Sequence, residues 1–294
     1  MHKPYKIVFL ADIHGLLPPL EAVLAEVQAD LPDEIIIAGD FLGGPQPREV
    51  LSRLASLNGR FILGNGEVNM LNMHHGTAPQ VWWTHRQFDM GRWIYDRLDD
   101  DVFDFLEGLP EQQVIALNGC EPLRVVHGSP WDVNKLVFPD LNPQDLSRAL
   151  GMIPEDILVF AHNHLPGIFR REGKLALNPG SVGNNLNGDS RASYATLTWE
   201  GAGWQPDLHY VAYDQAAVVA VFRETGFLQD NRPLARAFLE SILTAENTAL
   251  AYILFAREKA QAAGFDGFTA IPDEVWLESE AIFPWRYDLY RECP

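Results

Sequence analysis

Along the first part of the chain, apolar runs end again and again in an acid, an amide or a histidine. Residues 5–11 are β-rich and largely apolar, which predicts a strand buried on both faces of a sheet. The run leads directly into Asp12-Ile13-His14-Gly15. Residues 18–27 carry Leu20, Val23, Leu24 and Val27 at helical spacing, and Ile35-Ile36-Ile37-Ala38-Gly39-Asp40 is a second apolar run that ends in an acid. A strand, a helix and a strand of this length make a right-handed βαβ unit with parallel, adjacent strands. Residues 48–57 predict a short amphipathic helix, and Phe61-Ile62-Leu63 a third strand ending in Gly64-Asn65-Gly66-Glu67. Asp12, Asp40 and Asn65 are thus expected at one end of three parallel strands, the edge where such sheets hold their ligands. Residues i and i+2 of an extended segment point the same way, so Asp12 and His14 are expected to converge just past the first strand.

The pattern changes over about residues 68–110. Met70, Met73, Trp82, Trp83, Phe88, Trp93, Tyr95 and Phe103 are scattered among charges, with a break at Thr77-Ala78-Pro79. Two or three helices covering the mouth of the site are predicted. Residues 112–117 and 123–127 then read as strands around a turn at Asn118-Gly119, the second ending in His127-Gly128. Residues 156–161 form another buried strand, which ends in His162-Asn163-His164. A hairpin about Glu172-Gly173 follows, then the polar loop Asn178-Pro179-Gly180-Ser181, and residues 193–199 and 204–211 alternate as an antiparallel pair. One run of strands is linked by helices and the other by hairpins, which predicts two sheets. From Tyr213 the chain reads as helical. Asp214 is a good N-cap for residues 215–223, residues 233–263 suggest one long helix without glycine, and residues 274–290 a third. Nothing in these helices suggests chemistry, so they are read as an appendage packed on the sheets or on a partner subunit.

Composition narrows the function classes. A chain of 294 residues, 47% hydrophobic and 21% charged, suits one large domain or a domain with an appendage. No run approaches the roughly 18 unbroken apolar residues of a membrane span. Met1-His2-Lys3-Pro4 enters the first strand at once and leaves no room for a secretory signal. Cys120 and Cys293 do not suggest a disulfide framework, so a reducing cytoplasm is the expected location. A formal charge of −18 without a basic stripe argues against a nucleic-acid duplex or an anionic membrane as partner. Bound divalent metal would neutralise part of that charge.

The polar residues at strand ends are Asp12, His14, Asp40, Asn65, His127, His162 and His164: two carboxylates, one amide and four imidazoles. Oxygen and nitrogen ligands without thiolate suit Mn, Fe, Zn or Ni. Seven such side chains are too many for one ion that keeps a water, and enough for two if a carboxylate bridges. A two-metal centre acidifies a shared water and clamps the attacking and leaving oxygens of a phosphate.

In order and spacing, Asp12-Ile13-His14, Gly39-Asp40, Gly64-Asn65-Gly66-Glu67, His127-Gly128, His162-Asn163-His164 and Asn178-Pro179-Gly180-Ser181 resemble the calcineurin-like metallophosphoesterase superfamily. The likeness spans about residues 5–213, and the Tyr213-Asp214 junction resembles its small prokaryotic phosphodiesterase-type branch. The resemblance implies a four-layer αββα sandwich of two mixed sheets with two divalent metals at its rim. It makes residues 1–213 the catalytic domain, with the cover at about 68–110 as an insertion, and residues 214–294 a helical extension. Asp12, His14, Asp40 and His164 would hold one ion; Asp40 would bridge to the other, completed by Asn65, His127 and His162. Hydroxide bridging the ions would attack phosphorus in line, with Asp12, His14, Asp40, Asn65 and His127 as the catalytic set. Glu67 would support a ligand histidine.

Two departures stand out. Relatives often carry a histidine after Gly-Asn that protonates the leaving group, and here that position is Gly66. His74, His75 and His85 in the cover are the substitutes on offer, and Arg48, Arg86 and Arg92 are candidates to meet a substrate phosphate. The other is Ala161 in place of the usual glycine before His-x-His, one methyl that the site should tolerate. The resemblance therefore implies hydrolysis of a small phosphodiester or an activated phosphomonoester. Alternatives are a nucleotide or dinucleoside polyphosphate hydrolase, with Trp82, Trp83 or Trp93 stacking a base, a protein phosphatase, or a non-catalytic metal-binding scaffold. A homodimer through the C-terminal helices is left open.

Overall fold

Alternation along β1 (Tyr5–Leu10) sets the layers. The structure is a computed structural model that describes residues 4–266 and 269–290; Met1 to Lys3 and Cys293 lie outside them. Ile7, Phe9 and Ala11 face a core shared with Leu123, Val125, Ile157, Val159, Leu175 and Leu177, while Val8 and Leu10 face helices on the other side. Each strand of the centre therefore buries both faces, and each fully buried Ile, Leu or Phe contributes about 1.5–3 kcal/mol.

The other strands are β2 (Glu34–Ile37), β3 (Arg60–Phe61), β4 (Gln112–Ile115), β5 (Leu123–Val126), β6 (Ile157–Val159), β7 (Gly167–Arg171), β8 (Lys174–Asn178), β9 (Ala192–Trp199) and β10 (Trp204–Val211). They form two five-stranded mixed sheets, ordered β10-β9-β1-β2-β3 and β4-β5-β6-β8-β7. The βαβ unit is as expected, with β1 and β2 parallel from Ile7 opposite Glu34 to Leu10 opposite Ile37. Helices Leu17–Asp30 and Pro47–Ala55 cover the first sheet, and helix Pro143–Met152 covers the second through Leu146, Ala149 and Leu150. The result is the αββα sandwich.

Several local expectations are corrected. Linkage does not divide the sheets: the β9–β10 hairpin joins the helix-linked strands, because β9 pairs antiparallel with the free edge of β1. Helix Pro143–Met152 was not foreseen. The cover holds five short helical segments rather than two or three, Asn65–His74, Gln80–Thr84, Arg86–Phe88, Asp89–Tyr95 and Asp100–Glu107. Residues 233–263 are two helices, Leu234–Thr244 and Thr248–Ala262, separated where Ala245 turns left-handed and Asn247 caps the second. The last helix, Asp273–Ile282, stops early because Phe283 must stay extended before Pro284. Asp214 does cap its helix, accepting from the backbone N–H of Ala216 and Ala217.

The C-terminal helices are not peripheral. Phe222, Phe227, Phe238, Leu239 and Ile242 share one continuous core with Leu16, Leu20 and Trp93. Polar contacts tie them to the cover as well: Trp93 Nε1 donates to Asp230, the Arg86 N–H to Asp273, and the Ile271 N–H to Gln87. Among the described residues no helix is long and apolar enough to cross a membrane. Phe9, fully buried between the sheets, gives a direct test of the layering. Phe9→Ala is expected to cost about 3–5 kcal/mol, read as a lower urea midpoint with the slope unchanged.

Candidate metal centre

The backbone reverses direction at the candidate ligands. Asp12 (φ 51°), His14 (φ 52°), Asp40 (φ 52°), His162 (φ 71°) and His164 (φ 58°) all lie in the left-handed region. Each such residue costs on the order of 1–3 kcal/mol unless its surroundings impose it. Asp12 and His14 therefore do not converge as neighbours on an extended strand; tight turns past the strand end aim them together. The turns brace one another, since Asp12 N–H donates to Gly39 O (3.1 Å), His14 N–H to Asp40 O (2.9 Å) and Gly15 N–H to Phe41 O (2.9 Å). Ser181 Oγ, from the Asn-Pro-Gly-Ser loop, donates to Asp12 O (2.6 Å). Gly39 (φ 89°) has to be glycine, because a Cβ there would lie 2.6 Å from Gly64 Cα and 2.7 Å from the His127 Nδ1.

All seven expected ligands meet. Asp12 Oδ1 is 3.3 Å from His164 Nε2 and 3.9 Å from the Nε2 atoms of His14 and His127. His127 Nε2 is 3.5 Å from Asp40 Oδ1 and 3.1 Å from Asn65 Oδ1. Two groups result, Asp12 with His14 and His164, and Asp40 with His127 and His162, the donor atoms of each lying within 4.8 Å of one another. Backbone carbonyls orient three of the rings. His127 Nδ1–H donates to Ala38 O (2.8 Å), His164 Nδ1–H to Asn184 O (2.7 Å) and His162 Nε2–H to Asn134 O (3.1 Å). A carbonyl only accepts, so each of these nitrogens carries a proton and the opposite nitrogen is the one turned toward the cluster.

These contacts fit cations. Asp12 Oδ1 is buried without any hydrogen-bond donor, and the Nε2 atoms of His14 and His164 face each other at 3.0 Å. A buried carboxylate oxygen without a donor, ringed by imidazole nitrogens, is an arrangement that a positive charge among them would satisfy. Protonation follows the same field. Burial opposes ionisation of Asp12, but the imidazoles of His164, His127 and His14 outweigh it and hold the carboxyl below the usual range. Burial and the neighbouring His164 push His14 down to about 4, and burial with His127 lowers His162. Both thereby stay neutral, the form that binds metal. Burial works against the imidazolium of His127 and His164 too, yet the adjacent Asp40 and Asp12 raise both.

Glu67 supports the site differently from the sequence expectation. Its carboxylate touches no ligand histidine; it accepts four backbone N–H groups, from Asp40 (2.8 Å) and Gly64 (2.9 Å) on Oε2 and from Phe41 (2.9 Å) and Leu42 (3.0 Å) on Oε1. It thus ties the Asp40 turn to the start of the Asn65 helix. Burial and the charge of Asp40 push its pKa up to about 7 against those four donors.

The cover residues proposed for substrate do not join this cluster. His75 lies past the far end of the helix that Asn65 begins, about 15 Å along its axis, and pairs with Glu107 (2.8 Å). His74 stacks on Phe103, and His85 Nδ1 meets the hydroxyl of Thr84 (2.9 Å). Arg86 faces Asp89 (3.4 Å), Arg92 is bound to Asp89, and Arg48 to Asp99 (2.5 Å). Trp82 stacks on Phe88, Trp83 meets Tyr95, and Trp93 lies between Phe227 and the guanidinium of Arg97. Sequence reasoning missed the carbonyls of Ala38, Asn134 and Asn184, which leave no trace in side-chain chemistry. It also missed Phe238, whose ring meets the His14 ring in a T-shaped contact from the C-terminal helices.

Comparisons with known proteins agree with this geometry. Residues 5–202 match the description of the calcineurin-like phosphoesterase superfamily domain. The phosphodiesterase YfcE of Escherichia coli is 27% identical over 201 residues, covering 65% of this chain and 86% of that protein. An uncharacterized protein of Methanocaldococcus jannaschii is 25% identical over 214 residues, 64% of this chain and 80% of that one. The crystal structure of a metallophosphoesterase from Sphaerobacter thermophilus superposes with a TM-score of 0.66 at 25% identity, covering 81% of this chain and 98% of its own.

The role of Glu67 is open to a stability measurement. Glu67→Gln turns an N–H donor toward two of the four backbone donors. Denaturation of the metal-free protein is expected to find it less stable by about 2–6 kcal/mol, at about 1–3 kcal/mol per donor left unpaired.

Proposed function

Since the chain belongs to the calcineurin-like phosphoesterase superfamily and is a phosphate ester hydrolase, we propose that it is a two-metal phosphodiesterase acting on small organic diesters. The observation that carries the proposal is the pair of ligand groups meeting at the buried, undonated Oδ1 of Asp12. Asp12, His14 and His164 would hold one ion, and His127, His162 and Asn65 the other, with Asp40 between them. When bound, the ions supply Lewis acidity toward the phosphoryl oxygens and lower the pKa of a water. The protein contributes orientation: Ala38, Asn134 and Asn184 keep three imidazoles turned toward the centre, and the Gly66 N–H fixes Asp40 Oδ1 at 2.7 Å.

Two features bear on the substrate. Gly66 has no side chain with which to protonate a leaving group, a contribution typically worth about 10²–10⁴ in rate, which favours leaving groups of low pKa and slow turnover of alkyl monoesters. Arg48, Arg86 and Arg92 are each paired with a carboxylate, which leaves none of these three to neutralise the second charge of a monoester. The nucleotide reading finds no support in Trp82, Trp83 or Trp93, whose ring contacts are already made within the protein.

The test is elemental analysis of the purified protein with hydrolysis of bis(p-nitrophenyl) phosphate and p-nitrophenyl phosphate, with and without added Mn²⁺. About two ions per chain and metal-dependent cleavage of the diester ahead of the monoester are expected. No metal and no cleavage of either compound would leave the scaffold reading in its place. His127→Ala is expected to lower diester turnover at least about 100-fold, since even supporting groups at metal sites cost about 10–100-fold. His75→Ala should leave the monoester rate unchanged; a collapse of that rate would identify His75 as the replacement acid.

A further inference from the structure

Three of the four ligand imidazoles are fixed by a hydrogen bond on the nitrogen turned away from the cluster. His14 is the exception. Its Nδ1 lies against the backbone of Gly43, where a Cβ would come within 2.6 Å, and among the described residues it meets no hydrogen-bond acceptor. Two rings hold it instead. The His164 imidazole lies 4.9 Å away at 44°, and the Phe238 ring lies 5.9 Å away in a T-shaped arrangement at 81°. Phe238 stands on helix Leu234–Thr244, is 7% exposed, and is backed by Phe222 at 5.7 Å.

With no acceptor on its outer nitrogen, the His14 ring is held outside the cluster by packing alone, and metal binding has to offset whatever rotational freedom packing leaves it. We infer that Phe238 is the positioning residue for His14, so that the C-terminal helices complete the metal site formed by Asp12, His14 and His164. Packing does for this ligand what carbonyl acceptors do for the other three. The region after Tyr213 is then part of the metal centre rather than an appendage. The inference rests on the two-metal reading.

The test titrates metal-free, full-length protein with Mn²⁺ by equilibrium dialysis and counts bound ions by elemental analysis. In Phe238→Ala, one of two ions is expected to bind about 10–100-fold more weakly while the other keeps its affinity. Phe238→Leu, which restores most of the bulk, is expected to recover the weakened ion. Phe227→Ala removes a fully buried ring of the same core whose ring contacts are with Trp93 and Phe222 rather than His14, and both affinities should stand. Phe238→Val, a smaller truncation, carries the same expectation in lesser degree if the alanine variant does not fold. Two ions at unaltered affinity in Phe238→Ala or Phe238→Val would overturn the inference while leaving the two-metal reading intact. The same loss in Phe227→Ala would overturn it too, by assigning the effect to packing in general. An unaltered protein that binds no Mn²⁺ would remove the two-metal reading, and this inference with it.

Discussion

Groups that repel one another have to be held together here. Asp12, Asp40, Asn65 and four imidazoles point oxygens and lone-pair nitrogens at a common volume, and the His14 and His164 nitrogens approach to 3.0 Å. Attraction between the carboxylates and the imidazoles offsets only part of the cost of burying so many polar groups together. The arrangement persists because the backbone around it is braced on every side, by bonds between the Asp12 and Asp40 turns, by the Ser181 hydroxyl and by the four N–H groups on Glu67. Five left-handed residues at ligand positions are the local cost of that bracing.

The sandwich makes such a cost bearable. Its central strands bury both faces, so their ends are fixed by cores on either side before any ligand is considered. The first sheet contributes Asp12, Asp40 and Asn65 and the second His127, His162 and His164, and packing the two sheets face to face brings the sets together. A slip in register or in sheet packing would separate them, which ties the stability of the core to the chemistry at its rim.

The surroundings shape what the centre can do. Arg86 and Arg92 of the cover are spent on Asp89, its tryptophans on packing, and the position after Asn65 carries no proton donor. Cover and C-terminal helices are joined through Trp93–Asp230, Arg86–Asp273 and Gln87–Ile271, so they form one shell over the first sheet. On the reading proposed above, such a site would rely on its metals for electrophilic assistance and would suit substrates with low charge and good leaving groups.

The sequence by itself determined the strands at the centre, the βαβ unit and the identity of all seven clustered side chains. Those features are local: an apolar run followed by a polar residue records both a strand and its end. Tertiary structure decided the rest. That β9 closes the free edge of β1, that Asp12 and His14 are aimed by left-handed turns, and that Glu67 serves backbone N–H groups depend on partners far along the chain. The carbonyls that orient His127, His162 and His164 belong to every residue alike and carry no signature in sequence. Phe238 reads as one more apolar position of a helix, and only folding sets its ring against His14. Sequence records which groups are present, whereas packing between distant segments decides which of them touch.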